Sequence, residues 1–296
     1  MTQNQVSIII TSFNDLRAKQ LITQLKQADI LEIIIADGGS SPEIRKELLS
    51  LADDNIKFYD LPGNIAETRY QVQRVIQGKI SIFVDTDELP TEGWLERLIK
   101  PIVNGIADFT FGSTKPLRQA DNRFTRYLDK YDEYLYSEIL PFDIRKGALG
   151  NSAWKTEIIK NIGFDPCLGI GGEDYDLTFR AIDAGYRGVY VRDAVLLHDQ
   201  GNVRTLRRFV KKMFYNYQVG AALAYRKNGV LFQRIGASAK ANSKFRDPME
   251  ILIFLLKVPA IIFSLIIDPW NDIRYCKKEF SERGAVNKEM EPDHVK

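Results

Sequence analysis

Two carboxylates one residue apart, Asp85 and Asp87, follow directly on the apolar run Ile80 to Val84. Alternate side chains of an extended backbone share a face, so both are expected to point the same way at a strand's carboxyl end. Paired oxygen donors of this kind suit Mg2+ or Mn2+, which keep several waters and bridge to phosphate oxygens. The plainer alternative is that Asp87 or Glu88 caps the helix expected near Trp94 to Val103. A second acidic pair, Glu173-Asp174, with Asp176 close behind, opens a short helix entered through Gly169-Ile170-Gly171-Gly172. Acidic residues at a helix start commonly serve the dipole or the cap. Beside flexible glycines, an acidic pair also suits a general base that must meet an incoming hydroxyl.

Further polar residues stand where apolar runs end. Asp37-Gly38-Gly39-Ser40 reads as a turn, with Ser40 or Ser41 as a helix N-cap before Pro42. Its carboxylate can also accept from a base or a ribose hydroxyl, with Thr11 at the end of the first run contacting the same ligand. Arg69 falls about one turn inside a helix expected from Asn64 to Gln77. It either neutralises a diphosphate or joins a solvated face, the usual place for a helical arginine. His198 ends the last strand-like run as a metal ligand or a partly buried histidine. Trp154 is a core residue or, at a site rim, a platform for a sugar ring. No GxGxxG follows the first run and no GxxxxGK[ST] occurs in the chain, which argues against dinucleotide and P-loop sites.

The elements that must position these residues alternate. Val6 to Thr11, Leu31 to Ala36, Ile56 to Tyr59 and Ile80 to Val84 are short β-branched runs separated by amphipathic segments, the order of βαβ units. Runs that are apolar on both faces predict an α/β fold, its mostly parallel sheet flanked by helices on both sides, with ligands at the strands' carboxyl ends. A further strand is expected over Asp108 to Gly112, and one or two over Tyr186 to Leu197. Leu206, Phe209, Val210, Met213, Phe214 and Tyr217 recur at helical spacing within Val203 to Tyr225. Arg204, Arg207, Arg208, Lys211 and Lys212 place a basic stripe on that helix. Ile251 to Ile267 is almost wholly apolar but holds Lys257 and Pro259, and its length is at or below a bilayer span. It reads as an interfacial or re-entrant helix that, with the basic stripe, attaches to an anionic membrane surface.

Composition narrows the classes. At 296 residues and 45% hydrophobic content the chain can bury a substantial core, which rules out wholesale disorder. Its 41 basic and 39 acidic residues leave a net charge of +2, with no overall bias toward nucleic acid. Cys167 and Cys276 are far apart, and His198 and His294 offer no zinc spacing, so neither a disulfide-built scaffold nor a structural zinc is expected. Met1 to Gln5 is polar and carries no leader-like pattern, and the catalytic part is expected in the cytoplasm, peripherally attached to the inner face of the cell membrane.

The order of the motifs is more specific than any one of them. Val6-Ser7-Ile8-Ile9-Ile10-Thr11-Ser12-Phe13-Asn14, Ile35-Ala36-Asp37-Gly38-Gly39-Ser40, Thr68-Arg69, Phe83-Val84-Asp85-Thr86-Asp87 and Gly172-Glu173-Asp174-Tyr175-Asp176-Leu177 together resemble glycosyltransferase family 2, with its GT-A-type fold. The resemblance covers about residues 6 to 200. It implies inverting transfer of a sugar from a nucleotide diphosphate sugar to a hydroxyl or phosphate acceptor, with Mg2+ or Mn2+ as cofactor. It also implies that Thr11, Asp37 and Arg69 hold the nucleotide donor, that Asp85 and Asp87 organise metal and diphosphate, and that Asp174 is the base, assisted by Glu173. His198 matches a late metal-ligand position. Trp154 is kept for the acceptor. Where the family often shows Asp-Asp-Gly-Ser this chain has Asp37-Gly38-Gly39-Ser40, one carboxylate fewer. The Gln-x-x-Arg-Trp run of processive synthases is absent, which argues for transfer of one sugar at a time. The division expected is a nucleotide-sugar half over 1–105, an acceptor and catalytic half over 106–200, and a helical extension over 201–296. A lipid-linked glycan precursor is the acceptor this arrangement suggests. The rival readings are a non-catalytic nucleotide-sugar-binding protein and a sugar-phosphate nucleotidylyltransferase.

Overall fold

The computed structural model describes residues 5–26, 28–119, 121–138, 148–169, 171–201, 203–229 and 249–266. Four parallel strands form its first half: β1 (Val6–Ser12), β2 (Glu32–Asp37), β3 (Ile56–Asp60) and β4 (Ile80–Asp85). They are joined by α1 (Ala18–Leu25), α2 (Pro42–Leu49) and α3 (Ile65–Val72). Successive side chains of these strands enter opposite layers. Ile8, Ile10, Ile33, Ile35, Ile82 and Val84 pack with α1 and with α4 (Trp94–Val103), whereas Ile9, Ile34, Ala36 and Phe83 pack on the other face. That two-sided burial is the physical reason the runs read as continuously apolar.

The second half completes an eight-stranded sheet of order β3-β2-β1-β4-β7-β6-β8-β5. β5 (Glu88–Pro90), β6 (Phe109–Pro116), β7 (Asn151–Lys155) and β8 (Gly188–His198) mix directions: β6 and β8 are parallel, while β7 runs antiparallel to both β4 and β6, and β5 antiparallel to β8. β7 was not expected from the sequence, because Ala153 and Trp154 are its only apolar residues. Its polar members are buried but satisfied. Asn151 donates through Nδ2 to the carbonyls of Ser113 and Ala194 (2.8 and 3.1 Å) and accepts from Trp94 Nε1 (2.9 Å). Helices α5 (Arg123–Glu138), α6 (Thr156–Ile162) and α7 (Glu173–Asp183) fill the connections.

Beyond His198 the chain is helical but not uniformly so. The single helix expected over Val203 to Tyr225 is instead α8 (Leu206–Lys211), a π-helix over Lys212–Val219 and α9 (Gly220–Lys227). The widened turn changes which side chains share a face. Last comes α10 (Met249–Ile266), and Ile267 lies outside the described residues. Ile253 of α10 packs with Phe124, Phe209 and Met213, and Ala260 with Val219 and Leu223. Its other side is open, with Ile251 and Ile266 exposed to 68% and 74%. Eighteen residues make a helix of about 27 Å, short of a hydrocarbon core of about 30 Å. Among the described residues no helix is long and apolar enough to cross a membrane.

Candidate active site

Parallel pairing of β1 with β2 and β4 aligns Thr11 with Ala36 on one side and Asp85 on the other. Polar strand ends thus converge on one edge. The chain then turns at Thr86-Asp87 rather than running on extended, so the period-two argument does not hold at Asp87. Asp87 is nevertheless kept in the site by β5, whose Glu88 pairs with His198 of β8. Asp87 Oδ2 lies 3.4 Å from His198 Nε2 and 3.5 Å from Arg17 Nη1. Neither Asp87 nor Glu88 caps α4, whose N-cap is Gly93.

The charges here lie close together and shift one another. Burial would raise Asp87, but the imidazole of His198, Arg17 and Lys212 hold its carboxyl down to about 2. Burial and Asp85 push Glu88 up to about 8. Asp85 is raised by desolvation and by Asp87, against the pull of Arg69, yet its side chain remains 47% exposed toward the cleft. Gly150 passes beneath this group so closely that a Cβ there would stand 2.5 Å from Asp85 Oδ2 and 3.0 Å from Glu88 Oε2.

Arg69 is the bridge between the two acidic clusters. An Asn64/Glu67 capping box starts α3 and sets its first turn. Arg69 is buried, its Nη1 donating to Glu173 Oε1 at 2.5 Å and its Nη2 to Asp85 Oδ1 at 3.2 Å. Its Nε is buried without a partner. The solvated-face alternative for this arginine is therefore wrong. Glu173 is buried with it, while the adjacent Asp174 is only partly buried. Desolvation and the neighbouring Glu173 raise Asp174 to about 7. Asp176 is fully buried and structural, 2.7 Å from Arg180 Nη2 and 2.8 Å from Lys227 Nζ.

Three expectations are corrected. Trp154 is fully buried, stacked on Phe109 at 4.3 Å between centroids and donating to Ser152 Oγ at 2.9 Å, so no acceptor sugar reaches it. Asp37 is also fully buried. It accepts from the Ser40 hydroxyl at 2.5 Å and the Ser40 amide at 3.1 Å, with Arg45 Nε 3.3 Å away, and so holds its own turn rather than facing a base. The glycines before Glu173 are closely packed rather than open. Gly171 and Gly172 adopt φ of 122° and 90° and press against the backbone of Gly220, where a Cβ on Gly220 would stand 2.6 Å from the Gly171 carbonyl carbon.

Other residues beside the site gave little sequence signal. Arg17 lies in a loop without periodicity, gripped by Asp15 through bonds of 2.6 to 3.0 Å while it donates to the Asp199 carbonyl at 3.1 Å. Lys212 was expected on an outward stripe but is half-buried, its Nζ donating to Gln200 Oε1 at 3.0 Å. Arg204 leaves the stripe as well, standing 3.2 Å from Asp121.

The donor set of Asp85, Asp87 and His198 fits a divalent cation. Carboxylates suit Mg2+ and Mn2+, and the imidazole nitrogen favours Mn2+ of the two. The crowding of Asp85, Asp87 and Glu88 is the charge excess such an ion relieves. Among the described residues no three such side chains stand ready at mutual ligating positions.

The profile of Glycosyl transferase family 2 matches residues 7–162, more than half of the chain. The chain belongs to glycosyl transferase family 2. Family relatives include glycosyltransferase AglE of Haloferax volcanii, 26% identical over 227 residues that cover 71% of this chain and 70% of that protein. The pre-mycofactocin glycosyltransferase of Mycobacterium tuberculosis is 25% identical over 230 residues, 72% of this chain and 46% of that one, so this chain spans less than half of that relative. Among solved structures, the mannosyltransferase PcManGT of Pyrobaculum calidifontis, in complex with GDP-Man and Mn2+, superposes with a TM-score of 0.62 at 14% identity, covering 96% of this chain and 80% of that one. Glucosyl-3-phosphoglycerate synthase of Mycobacterium tuberculosis, with Mn2+, UDP and phosphoglyceric acid, gives 0.51 at 15% identity, covering 76% and 78%. At these identities the likeness is one of fold, and the fold is of GT-A type. Family membership makes the chain a glycosyltransferase that draws on nucleotide sugars and removes the nucleotidylyltransferase reading.

Proposed function

We propose that this chain is an inverting family 2 glycosyltransferase that moves one sugar at a time from a nucleotide diphosphate sugar to an acceptor of cell-envelope glycan type. The observation that carries the reading is the Arg69 bridge. By pairing with Asp85 and Glu173 together, it ties the diphosphate end of the sheet to the helix that presents Asp174. Thr11, at the end of β1, is placed to meet the nucleotide. Asp85, Asp87 and His198 would hold Mn2+ or Mg2+, which would supply positive charge beside the leaving diphosphate. Asp174, raised to about 7, takes the acceptor proton. The new acceptor–anomeric carbon bond forms opposite the breaking bond to the diphosphate, so configuration inverts.

The exposed apolar side of α10 and the exposed basic residues Arg208 and Lys211 of α8 support attachment to the inner face of an anionic membrane and hence a lipid-linked acceptor. The fold neighbours carry guanosine and uridine donors, so both nucleotide classes belong in the test. Incubation with a panel of such donors and Mn2+ should release nucleotide diphosphate, and Asp87→Ala should greatly reduce that release while leaving the fold intact. Release of none from any donor, or unchanged turnover and metal dependence in Asp87→Ala, refutes the proposal.

A further inference from the structure

Between the ends of β6 and β8 and the start of α5 lies a cavity of about 310 Å3. In the sheet order β6 and β8 stand on the far side of β4 from β1, β2 and β3. A nucleotide over Thr11 and a ligand in this cavity therefore approach the Asp87–His198 pair from opposite sides. His198 forms part of the cavity wall while its Nε2 faces Asp87 at 3.4 Å.

The lining has a distinct chemistry. Asp121, Asp129 and Asp199 contribute carboxylates and Arg118 and Arg204 contribute guanidinium groups, with no Phe, Tyr or Trp among the described lining residues. The opposite charges largely cancel: Arg204 Nη2 stands 3.2 Å from Asp121 Oδ2, and Arg118 Nη2 4.0 Å from Asp199 Oδ2. Such a wall lacks the positive excess that holds a phosphate. Interleaved carboxylate acceptors and guanidinium donors instead match the hydroxyls of a neutral sugar, each of which donates and accepts. The volume lies at the small end of ligand pockets, enough for about one sugar ring. On α5, Thr125 and Asp129 are four residues apart and both line the cavity, so one helix face reads the ligand.

We infer that this cavity holds the terminal sugar of the acceptor, and that the nucleophile is a hydroxyl of that neutral sugar rather than a phosphate oxygen. This rests on the transferase reading above and deepens it by naming the acceptor class. The hydroxyl oxygen bonds to the donor's anomeric carbon as the bond from that carbon to the diphosphate oxygen breaks. The electron pair leaves on the diphosphate and the hydroxyl proton passes to Asp174.

The test offers the full-length protein, with Mn2+ and a donor it cleaves, a set of neutral octyl glycosides and, separately, a polyprenyl phosphate. Transfer to a glycoside is expected. Asp129→Asn and Thr125→Val, both close in shape to the originals, are expected to raise the acceptor KM about ten-fold, the loss of one hydrogen bond to a charged or buried group. The Kd for the donor's nucleotide diphosphate should stay within about two-fold, which also shows that the variants fold. Transfer to the phosphate alone, transfer to neither while donor is hydrolysed, or an unchanged acceptor KM in both variants overturns the inference. Absence of donor cleavage under every condition is a different result: it overturns the transferase reading, and the inference falls with it.

Discussion

A carboxylate that titrates near its ordinary value of 3.8 is a weak base at neutral pH, and Asp174 escapes that limit because desolvation and Glu173 raise it to about 7. The base is active only when deprotonated. Transfer at saturating substrates should therefore rise with pH through a limb centred near 7 and level off above it, and the limb should vanish in Asp174→Asn. That variant should keep donor affinity while losing about 10²- to 10⁴-fold in turnover, read by single-turnover assay beside a nucleotide titration. Arg69→Ala removes the partner of buried Glu173, and breaking a buried ion pair in this way costs about 3–5 kcal/mol, visible as a lowered denaturation midpoint. Asp37→Ala tests the corrected role of that residue. Stability should fall, because Ser40 loses its acceptor, while donor affinity changes little. These residue types were legible in the sequence, since carboxylates and an arginine at strand ends narrow the chemistry. Their partners were not: Arg69 and Glu173 are 104 positions apart in the chain and are brought together by tertiary packing, which local spacing does not encode.

At the scale of elements, the four parallel strands were readable to within a residue or two because burial on both faces leaves an uninterrupted apolar signal. β7 was hidden because a central strand that satisfies its own polar residues need not be apolar. The π-helix over Lys212–Val219 was hidden for another reason: a turn closed by i→i+5 bonds leaves no mark on composition. The Gly171-Gly172 entry to α7 is closely packed against α9. Gly172 sits at φ 90°, and a Cβ there would overlap the Gly220 carbonyl oxygen. Gly172→Ala should therefore cost more than about 2 kcal/mol, part from the left-handed backbone and part from overpacking, and should depress turnover by displacing α7. Equal stability and equal turnover in that variant would show that α7 and α9 do not need this contact.

Across the whole molecule, α10 joins the catalytic body through Ile253 and Ala260 and turns Ile251, Leu255, Val258 and Ile262 outward. Replacing Ile251 and Ile262 by glutamate should abolish co-flotation with anionic vesicles while leaving donor hydrolysis in place, and raising salt should weaken wild-type binding only in part because the apolar contribution persists. A wild-type protein that does not float at low salt refutes membrane attachment. The sheet order carries a consequence of another kind. Because β2 and β1 lie on one side of β4 and β6 and β8 on the other, the two proposed substrates have separate doors to the bond being made. Neither has to leave before the other can enter or depart. Steady-state patterns should accordingly show spent nucleotide diphosphate competing with the donor alone and acting as a mixed inhibitor against the acceptor, the signature of a ternary complex and not of a shuttle that hands the sugar over in two half-reactions.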